Sequence, residues 1–230
     1  MESGMVTGRR VTRSACLAML GLLVTALAHA HGDVPAAPEA GGPRNFVVKK
    51  VAHPEPMRAS ASAVGRVVKR YPAGTVFDNL GCEHGKGGTW CDVQPLGGGP
   101  RGYVALAALK PAVGPDGRVA TGPDDSALRA GEGRFDATGK LPCATAAGQP
   151  MSMQCDSGVA RAGGGYATLV VTRPDGRKRA IFFRMGRAIG ADTSQAEGSQ
   201  PFRATREGDL NLVRVGDERY EIPDAAILGG

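Results

Sequence analysis

The chain has 230 residues, of which 42% are hydrophobic and 5% are aromatic, and its formal net charge is +6. This length predicts one or two domains, and the scarcity of large side chains favours two small cores over one large core. The 35 glycines and 16 prolines bring the chain close to the level at which low-complexity segments occur. Because the positive charge is small and scattered, no nucleic-acid partner is expected.

Residues 1–30 have the pattern of a secretory signal peptide. Arg9, Arg10 and Arg13 precede an apolar run from Ala15 to Ala28, and small residues flank His29 at the expected cleavage site. This segment carries three arginines and one glutamate, net +2, so its removal lowers the charge from +6 to +4. The run is too short to span a bilayer comfortably, and no second long apolar stretch follows. The sequence therefore predicts an exported protein of the periplasm or the extracellular space that does not span the membrane.

Four cysteines follow the predicted signal peptide, at Cys82, Cys91, Cys143 and Cys155. An even number of cysteines in an exported protein indicates disulfides, and four cysteines allow three connectivities. The local pairs Cys82–Cys91 and Cys143–Cys155 are favoured because each is close in sequence and lies within one candidate domain. The alternative, a four-cysteine zinc site, lacks the expected Cys-x-x-Cys spacing. No metal and no cofactor are expected.

The remaining chain divides into segments of different composition. Residues 31–45 are rich in Pro, Ala and Gly and predict a disordered leader. Residues 46–111 alternate short apolar runs with turn residues, which is typical of a small all-β barrel. Residues 112–134 combine Pro, Gly and charge without apolar periodicity and predict a linker. Residues 135–230 predict a second, C-terminal β domain.

The C-terminal segment contains the clearest hairpin signal. In "YATLVVTRPDGRKRAIFFR", two β-rich runs flank Pro174-Asp175-Gly176, a sequence that suits a tight turn. A second hairpin is predicted around Gly216-Asp217 in "DLNLVRVGDERYEIP". Helical periodicity is absent except for a short stretch, "DAAIL", near the end of the sequence. The predicted fold class is all-β, with two small antiparallel domains.

Several motifs in residues 46–110 resemble those of the bacterial SH3-like (SH3b) domain. "MRASASAVGRVVKRYPAGTVF" is similar to the opening of that family, "TWCDV" to its Gly-Trp-Tyr-Lys-Val strand, and "RGYVALAAL" to its closing strands. The sequence departs from the family where Tyr103 replaces the usual second Trp and where Cys91 replaces an aromatic residue after Trp90. The resemblance implies a small SH3-like barrel and a recognition role in the cell envelope, with peptidoglycan, a peptide or an envelope protein as partner.

Candidate ligand-binding residues of this first domain are Trp90, Tyr103 and Arg101. Trp90 and Tyr103 are interpreted either as a stacking surface for a peptide or sugar or as barrel core. In the second domain, a basic cluster at the main hairpin is a candidate contact for an anionic partner, or else a solvated turn. Its candidate residues are Arg173, Arg177, Lys178 and Arg179.

No catalytic residues are expected. Residues 135–230 contain no histidine, which Cys-His peptidases, zinc amidases and Ser-His-Asp hydrolases require. The second domain resembles uncharacterised exported proteobacterial proteins. It is also distantly similar to the periplasmic inhibitors of c-type lysozyme, through its "QCDSG" start and its hairpin. The predicted function is therefore a non-enzymatic binding protein of the envelope, with inhibition of a lysozyme-type hydrolase as the alternative.

Overall fold

The computed structural model describes Met1 and residues 34–50, 52–194 and 200–229. Apart from Met1, the predicted signal peptide lies outside these residues. Val34–Gly230 forms a compact unit of its own. Within it, the described residues build two antiparallel β-sheets, one of seven and one of eight strands, so the all-β prediction is confirmed. No helix in the described ranges is long and apolar enough to cross a membrane.

The N-terminal sheet curls around its own core in the strand order β3-β2-β6-β5-β4-β1-β7. Strand β1 pairs with β4 on one side and with β7 on the other. A 3-10 turn at Leu106–Ala108 separates β6 from β7. The strands are β1 (Asn45–Val48), β2 (Glu55–Arg58), β3 (Val67–Tyr71), β4 (Val76–Gly85), β5 (Gly88–Pro95), β6 (Gly102–Ala105) and β7 (Leu109–Pro111).

Alternation along these strands builds the N-terminal core, because successive side chains of a strand point to opposite faces. Cys91 and Val93 on β5 and Val104 on β6 point inward, and the residues between them point outward. Phe46, Phe77 and Tyr71 are the aromatic residues of this core, and the rings of Tyr71 and Phe77 meet edge to face with their centres 4.9 Å apart. This core is separate from that of the second sheet.

The C-terminal barrel is formed by a sheet of eight strands, each hydrogen-bonded to its neighbours in the sheet. Their order is β12-β11-β10-β9-β8-β15-β14-β13, and the end strands β12 and β13 lie beside each other, so the sheet is nearly closed. A short helix, α2 (Asp224–Leu228), places Ile227 in the barrel core. The strands are β8 (Ala137–Ala144), β9 (Met153–Gly163), β10 (Tyr166–Thr172), β11 (Lys178–Arg184), β12 (Arg187–Ala191), β13 (Phe202–Glu207), β14 (Leu210–Val215) and β15 (Glu218–Pro223).

A second short helix, α1 (Ser126–Gly131), covers the outside of the barrel. Ala130 packs on Ala160 and Val170 of the outer barrel wall, and the Ser126 and Thr168 hydroxyls are 3.0 Å apart and buried. Strand β10 is consequently buried on both faces. This burial explains why "YATLVV" shows no alternation of apolar and exposed polar residues.

Both predicted disulfides are present. Cys82 and Cys91 face each other across β4 and β5, with their Cα atoms 3.9 Å apart. Cys143 and Cys155 join β8 to β9 across a Cα distance of 5.9 Å. Each bridge therefore ties two neighbouring strands of a single sheet, and the four sulfurs are not available for a shared zinc ion.

The two sheets meet at a polar junction. The buried Tyr166 hydroxyl of the barrel donates to Asn45 Oδ1 of β1 at 2.7 Å, and Asn45 Nδ2 donates to Asp78 Oδ1 at 3.0 Å. The Arg44 guanidinium lies 4.8 Å from the centre of the Tyr166 ring and donates to the carbonyl oxygen of Ala162. We call these residues, Arg44, Asn45, Asp78 and Tyr166, the junction.

The described part of the predicted leader (31–45) and the predicted linker (112–134) make contacts with distant residues that the local composition does not reveal. Arg44 donates to the carbonyl oxygens of Gly122 and Pro123 at 2.7 and 2.6 Å. Asn79 Nδ2 donates to the carbonyl oxygen of Pro43 at 2.8 Å. Since each buried polar group obtains its partner from a distant segment, these Pro- and Gly-rich stretches are held against the sheets.

Candidate functional site

The candidate ligand-binding residues of the N-terminal sheet lie on its outer face. Asp92 of β5 pairs directly with Tyr103 of β6, Tyr103 pairs with Arg58 of β2, and Arg58 pairs with Val67 of β3. Direct cross-strand partners share a face, with Cβ atoms about 5 Å apart. We call these four side chains the outer row: Val67, Arg58, Tyr103 and Asp92.

Tyr103 is the centre of the outer row and is half-buried. Burial, followed by the nearby carboxylates of Asp92 and Glu83, raises the pKa of Tyr103, while Arg101 acts to lower it. The hydroxyl is therefore protonated at neutral pH and can donate a hydrogen bond. Tyr103 lies between a cationic and an anionic cross-strand neighbour, and its side chain can both stack on and hydrogen-bond to a ligand.

Arg101 and Arg58 fix the charged flanks of this tyrosine. Arg101 holds Asp92 with two nitrogens, Nε at 2.9 Å from Oδ1 and the terminal Nη2 at 2.6 Å from Oδ2, while most of its own side chain stays exposed. Arg58 donates to the carbonyl oxygen of Gly65 at 2.7 Å. Of the predicted ligand-binding residues, Tyr103 and Arg101 are thus accessible and lie together.

Trp90 lies on this same outer face but is only 5% exposed. It is outside the core cluster of the sheet, because the inward positions of β5 are taken by Cys91 and Val93. The 59–66 loop lies next to Trp90. The amide of Lys86 in the β4–β5 turn donates to the carbonyl oxygen of Ala61 in this loop at 3.2 Å. Trp90 is therefore a buried side chain outside the core cluster, and it is not an open stacking surface.

Gly85 allows this loop to approach the tryptophan. A Cβ atom at Gly85 would lie 2.7 Å from Cδ1 of Trp90 and 2.2 Å from the carbonyl oxygen of Ala61. Neither distance is compatible with a side chain. The Nε1 atom of Trp90 is buried and has no hydrogen-bond partner among the described residues, which leaves an unsatisfied donor beside the outer row.

The four basic residues predicted to contact an anionic partner do not form one patch. Arg173 and Arg179 are buried, 7% and 3% exposed, and both bind Glu218. Arg177 is exposed on the turn and pairs with Asp175 at 2.6 Å, and Lys178 is exposed next to it. The predicted contact therefore does not hold for Arg173 and Arg179, because their guanidinium groups point into the protein.

Glu218 is the centre of this buried cluster. Its carboxylate accepts from Arg173 at 2.5 Å, from Arg179 at 2.8 Å and from the Tyr220 hydroxyl at 2.8 Å. Burial acts to raise the pKa of Glu218, but the hydrogen bonds from Arg179 and Tyr220 and the charges of both arginines outweigh it and hold the pKa below its ordinary value. The cluster holds two arginines and one carboxylate, and all three are buried and inaccessible to a ligand.

A pattern in the sequence carries the signal for this burial. Arg179 lies two and four residues before Ile181 and Phe183, and all three point inward on β11. Every second residue of β11 points inward, and the same alternation continued from Ile181 toward the turn places Arg179 inward as well. A buried arginine requires a partner of opposite charge, so a buried carboxylate is predicted. Its partner lies 39 residues away.

Within the described ranges, no group of three or more His, Cys, Asp or Glu side chains is arranged to hold a metal ion. Comparison with known proteins finds no protein-family model, no curated protein and no solved structure that matches the chain.

Proposed function

We propose that this chain is an exported, non-enzymatic binding protein of the cell envelope, and that the outer row of its N-terminal sheet recognises a peptide or protein segment. The observation that carries the proposal is Tyr103, an accessible aromatic held directly between Arg58 and Asp92 on three neighbouring strands. Aromatic side chains with a polar end and fixed charged neighbours are typical anchors of recognition surfaces.

Export is supported by the signal-peptide pattern and by two disulfides, since disulfides persist mainly in oxidising compartments. A binding role, as opposed to catalysis, is supported by the absence of histidine from residues 135–230. The resemblance to SH3-like domains of the bacterial envelope, carried by short motifs, agrees with the position of Tyr103 on an outer sheet face.

A peptide ligand fits the surroundings of Tyr103 better than a bare polysaccharide surface. The outer row ends at Val67 on β3, which is the edge strand of the sheet, and Val67 is exposed. An edge strand presents backbone donors and acceptors that an extended peptide can pair with, while the row supplies side-chain contacts. A peptide that instead crosses the outer face at right angles to the strands would place successive side chains on Val67, Arg58 and Tyr103, because the row runs across three neighbouring strands.

The test is a sedimentation assay of the purified protein with peptidoglycan, and a parallel pull-down from envelope extract. Tyr103→Ala is expected to lower the bound fraction about tenfold, as for a central aromatic contact. Phe182→Ala is the control, because Phe182 is a half-buried aromatic on the outside of the other sheet, and it should leave binding within about twofold.

The outcomes separate the candidate partners. Binding to peptidoglycan that Tyr103→Ala abolishes identifies a wall ligand, and enrichment of a single protein from the extract identifies a protein partner. Inhibition of a c-type lysozyme in a turbidity assay, unaffected by Tyr103→Ala, would favour the inhibitor function instead. If neither wall nor extract is bound, the proposed function is wrong.

A further inference from the structure

The C-terminal barrel carries three arginines in one row on its outer face, outside every site considered above. Arg203 of β13 pairs directly with Arg214 of β14, and Arg214 pairs directly with Arg219 of β15. These are cross-strand partners, so their Cβ atoms are about 5 Å apart on a common face. We call these three side chains the arginine row.

Like charges in direct cross-strand positions destabilise a sheet. Arginine does not relieve the repulsion by losing its proton, because its pKa is above about 12. The local compensation is weak. Arg214 is 4.0 Å from Asp217, with both side chains largely exposed, and Arg219 donates to the uncharged carbonyl oxygen of Gln149. Arg203 has no ion-pair partner in the described part of the chain.

The arginine row borders a groove of about 320 Å³. Leu212, on the face of β14 that carries Arg214, and Met151, in the segment before β9, are half-buried apolar side chains that line it. Thr205 and Glu221 flank Leu212 as its cross-strand partners. The groove therefore combines an apolar floor with a strongly cationic wall.

We infer that this groove binds an acidic peptide segment of a partner protein, with carboxylate side chains on the arginine row and an apolar side chain on Leu212 and Met151. Guanidinium groups match carboxylates in a bidentate geometry, and a row of three offers more than one such site. Inorganic phosphate has no apolar group to place on Leu212 and Met151, and a concave groove does not fit the flat surface of a bilayer.

This inference is independent of the proposed function, since it concerns a different sheet and different residues. The ligand would relieve the repulsion that the free protein carries, which is a reason for three weakly compensated arginines to be placed side by side. The expected interaction is salt-sensitive, because the arginines are exposed and their charges are screened as ionic strength rises.

The experiment is fluorescence anisotropy with the purified protein and a labelled eight-residue peptide that alternates Glu and Leu. The matched peptide has Gln in place of each Glu. We expect the Glu peptide to bind, its affinity to fall as salt is raised, and the Gln peptide to bind at least about tenfold more weakly. Equal binding of the two peptides, or no binding of either, overturns the inference.

Variants locate the site. The double variant Arg203→Gln/Arg214→Gln is expected to weaken the Glu peptide about tenfold or more, whereas Lys110→Gln/Arg118→Gln, which removes the same charge from exposed positions elsewhere, should change it less than about twofold. Glu221→Gln removes the carboxylate of the groove and should tighten binding. Circular dichroism verifies that each variant is folded.

Competition decides between ligand classes. Inorganic phosphate and pyrophosphate, at the ionic strength of the control, should displace the peptide only weakly. If either competes as strongly as the unlabelled peptide, the groove is an anion site without peptide preference and the inference is wrong. It is equally wrong if both double variants weaken the peptide to the same extent, because binding would then reflect net charge alone.

Discussion

At the scale of single residues, the molecule depends on the buried carboxylate of Glu218. Two arginines and a tyrosine hydroxyl converge on it, and all four groups are removed from water. A buried ion pair is a weak source of net stability compared with apolar packing, but the loss of one partner is costly because the others remain buried and charged.

Glu218→Gln is therefore expected to lower the free energy of unfolding by about 3–5 kcal/mol. Glu221→Gln is the matched control, because Glu221 lies three residues further along the same strand on the outer face. Its effect should be within about 0.5 kcal/mol. Urea unfolding followed by circular dichroism measures both. Equal stability of the two variants would show that the cluster has no special role.

The same carboxylate predicts a dependence of stability on pH. Because the folded-state pKa of Glu218 is held below its ordinary value, its contribution is complete above the unfolded pKa of about 4.3 and is lost as pH falls through the folded pKa. The wild type should thus lose more stability than Glu218→Gln between pH 5 and pH 3. Urea midpoints across this range test the prediction, and parallel curves would contradict it.

At the scale of elements, the strands and turns of the second half were predictable from local pattern. The Pro174-Asp175-Gly176 turn joins β10 to β11, with Gly176 at φ +81° and its amide bonded to the carbonyl oxygen of Arg173 at 2.9 Å. The turn at Gly216-Asp217 likewise joins β14 to β15. Here residue type and alternation determine the local structure, because the turn requires positive φ and the strands require one apolar face.

Features that depend on distant partners were not predictable in this way. Helix α1 was missed because its six residues have no periodic pattern of their own and are fixed by the barrel wall. The burial of Trp90 was not predictable, because it depends on the 59–66 loop. The sequence does not show that this loop contacts the β4–β5 turn and covers the tryptophan. The arginine row arises from the register of three strands, which the sequence does not display.

The disulfide between Cys82 of β4 and Cys91 of β5 should stabilise the hairpin that these two strands form. Replacing both Cys82 and Cys91 by Ser is expected to lower the free energy of unfolding by about 2.5–3 kcal/mol, the chain-entropy value for a loop of this size. Urea unfolding of the double variant, beside the wild type with and without reductant, measures this effect. A double variant as stable as the oxidised wild type would contradict it.

At the scale of the whole molecule, the junction joins two sheets that each have a core of their own. Burial raises the pKa of Tyr166 to about 12, so its hydroxyl is a neutral donor to Asn45 at physiological pH. The 112–134 segment also approaches the barrel closely, which requires glycine at Gly164, at φ +62°, where a Cβ would lie 2.5 Å from Cβ of Ala120. Asp116 accepts from the Gly164 amide at 2.7 Å and closes the contact.

Tyr166→Phe is expected to destabilise the protein by about 1–3 kcal/mol, because Asn45 Oδ1 would lose its donor in a buried site. Tyr71→Phe is the control: the Tyr71 hydroxyl is buried without a partner among the described residues, so its removal should be neutral or stabilising. Thermal unfolding measures both. If Tyr166→Phe is as stable as Tyr71→Phe, the hydrogen bond across the junction contributes nothing.

The polar character of the junction has a consequence for dissection of the chain. Cutting between the sheets would separate Arg44 and Asn45 from their barrel partners, which are the carbonyl oxygen of Ala162 and the hydroxyl of Tyr166. Each fragment is therefore expected to be less stable than the intact chain, so a shortened protein that lost binding has to be shown to be folded before the loss is assigned to a missing binding surface.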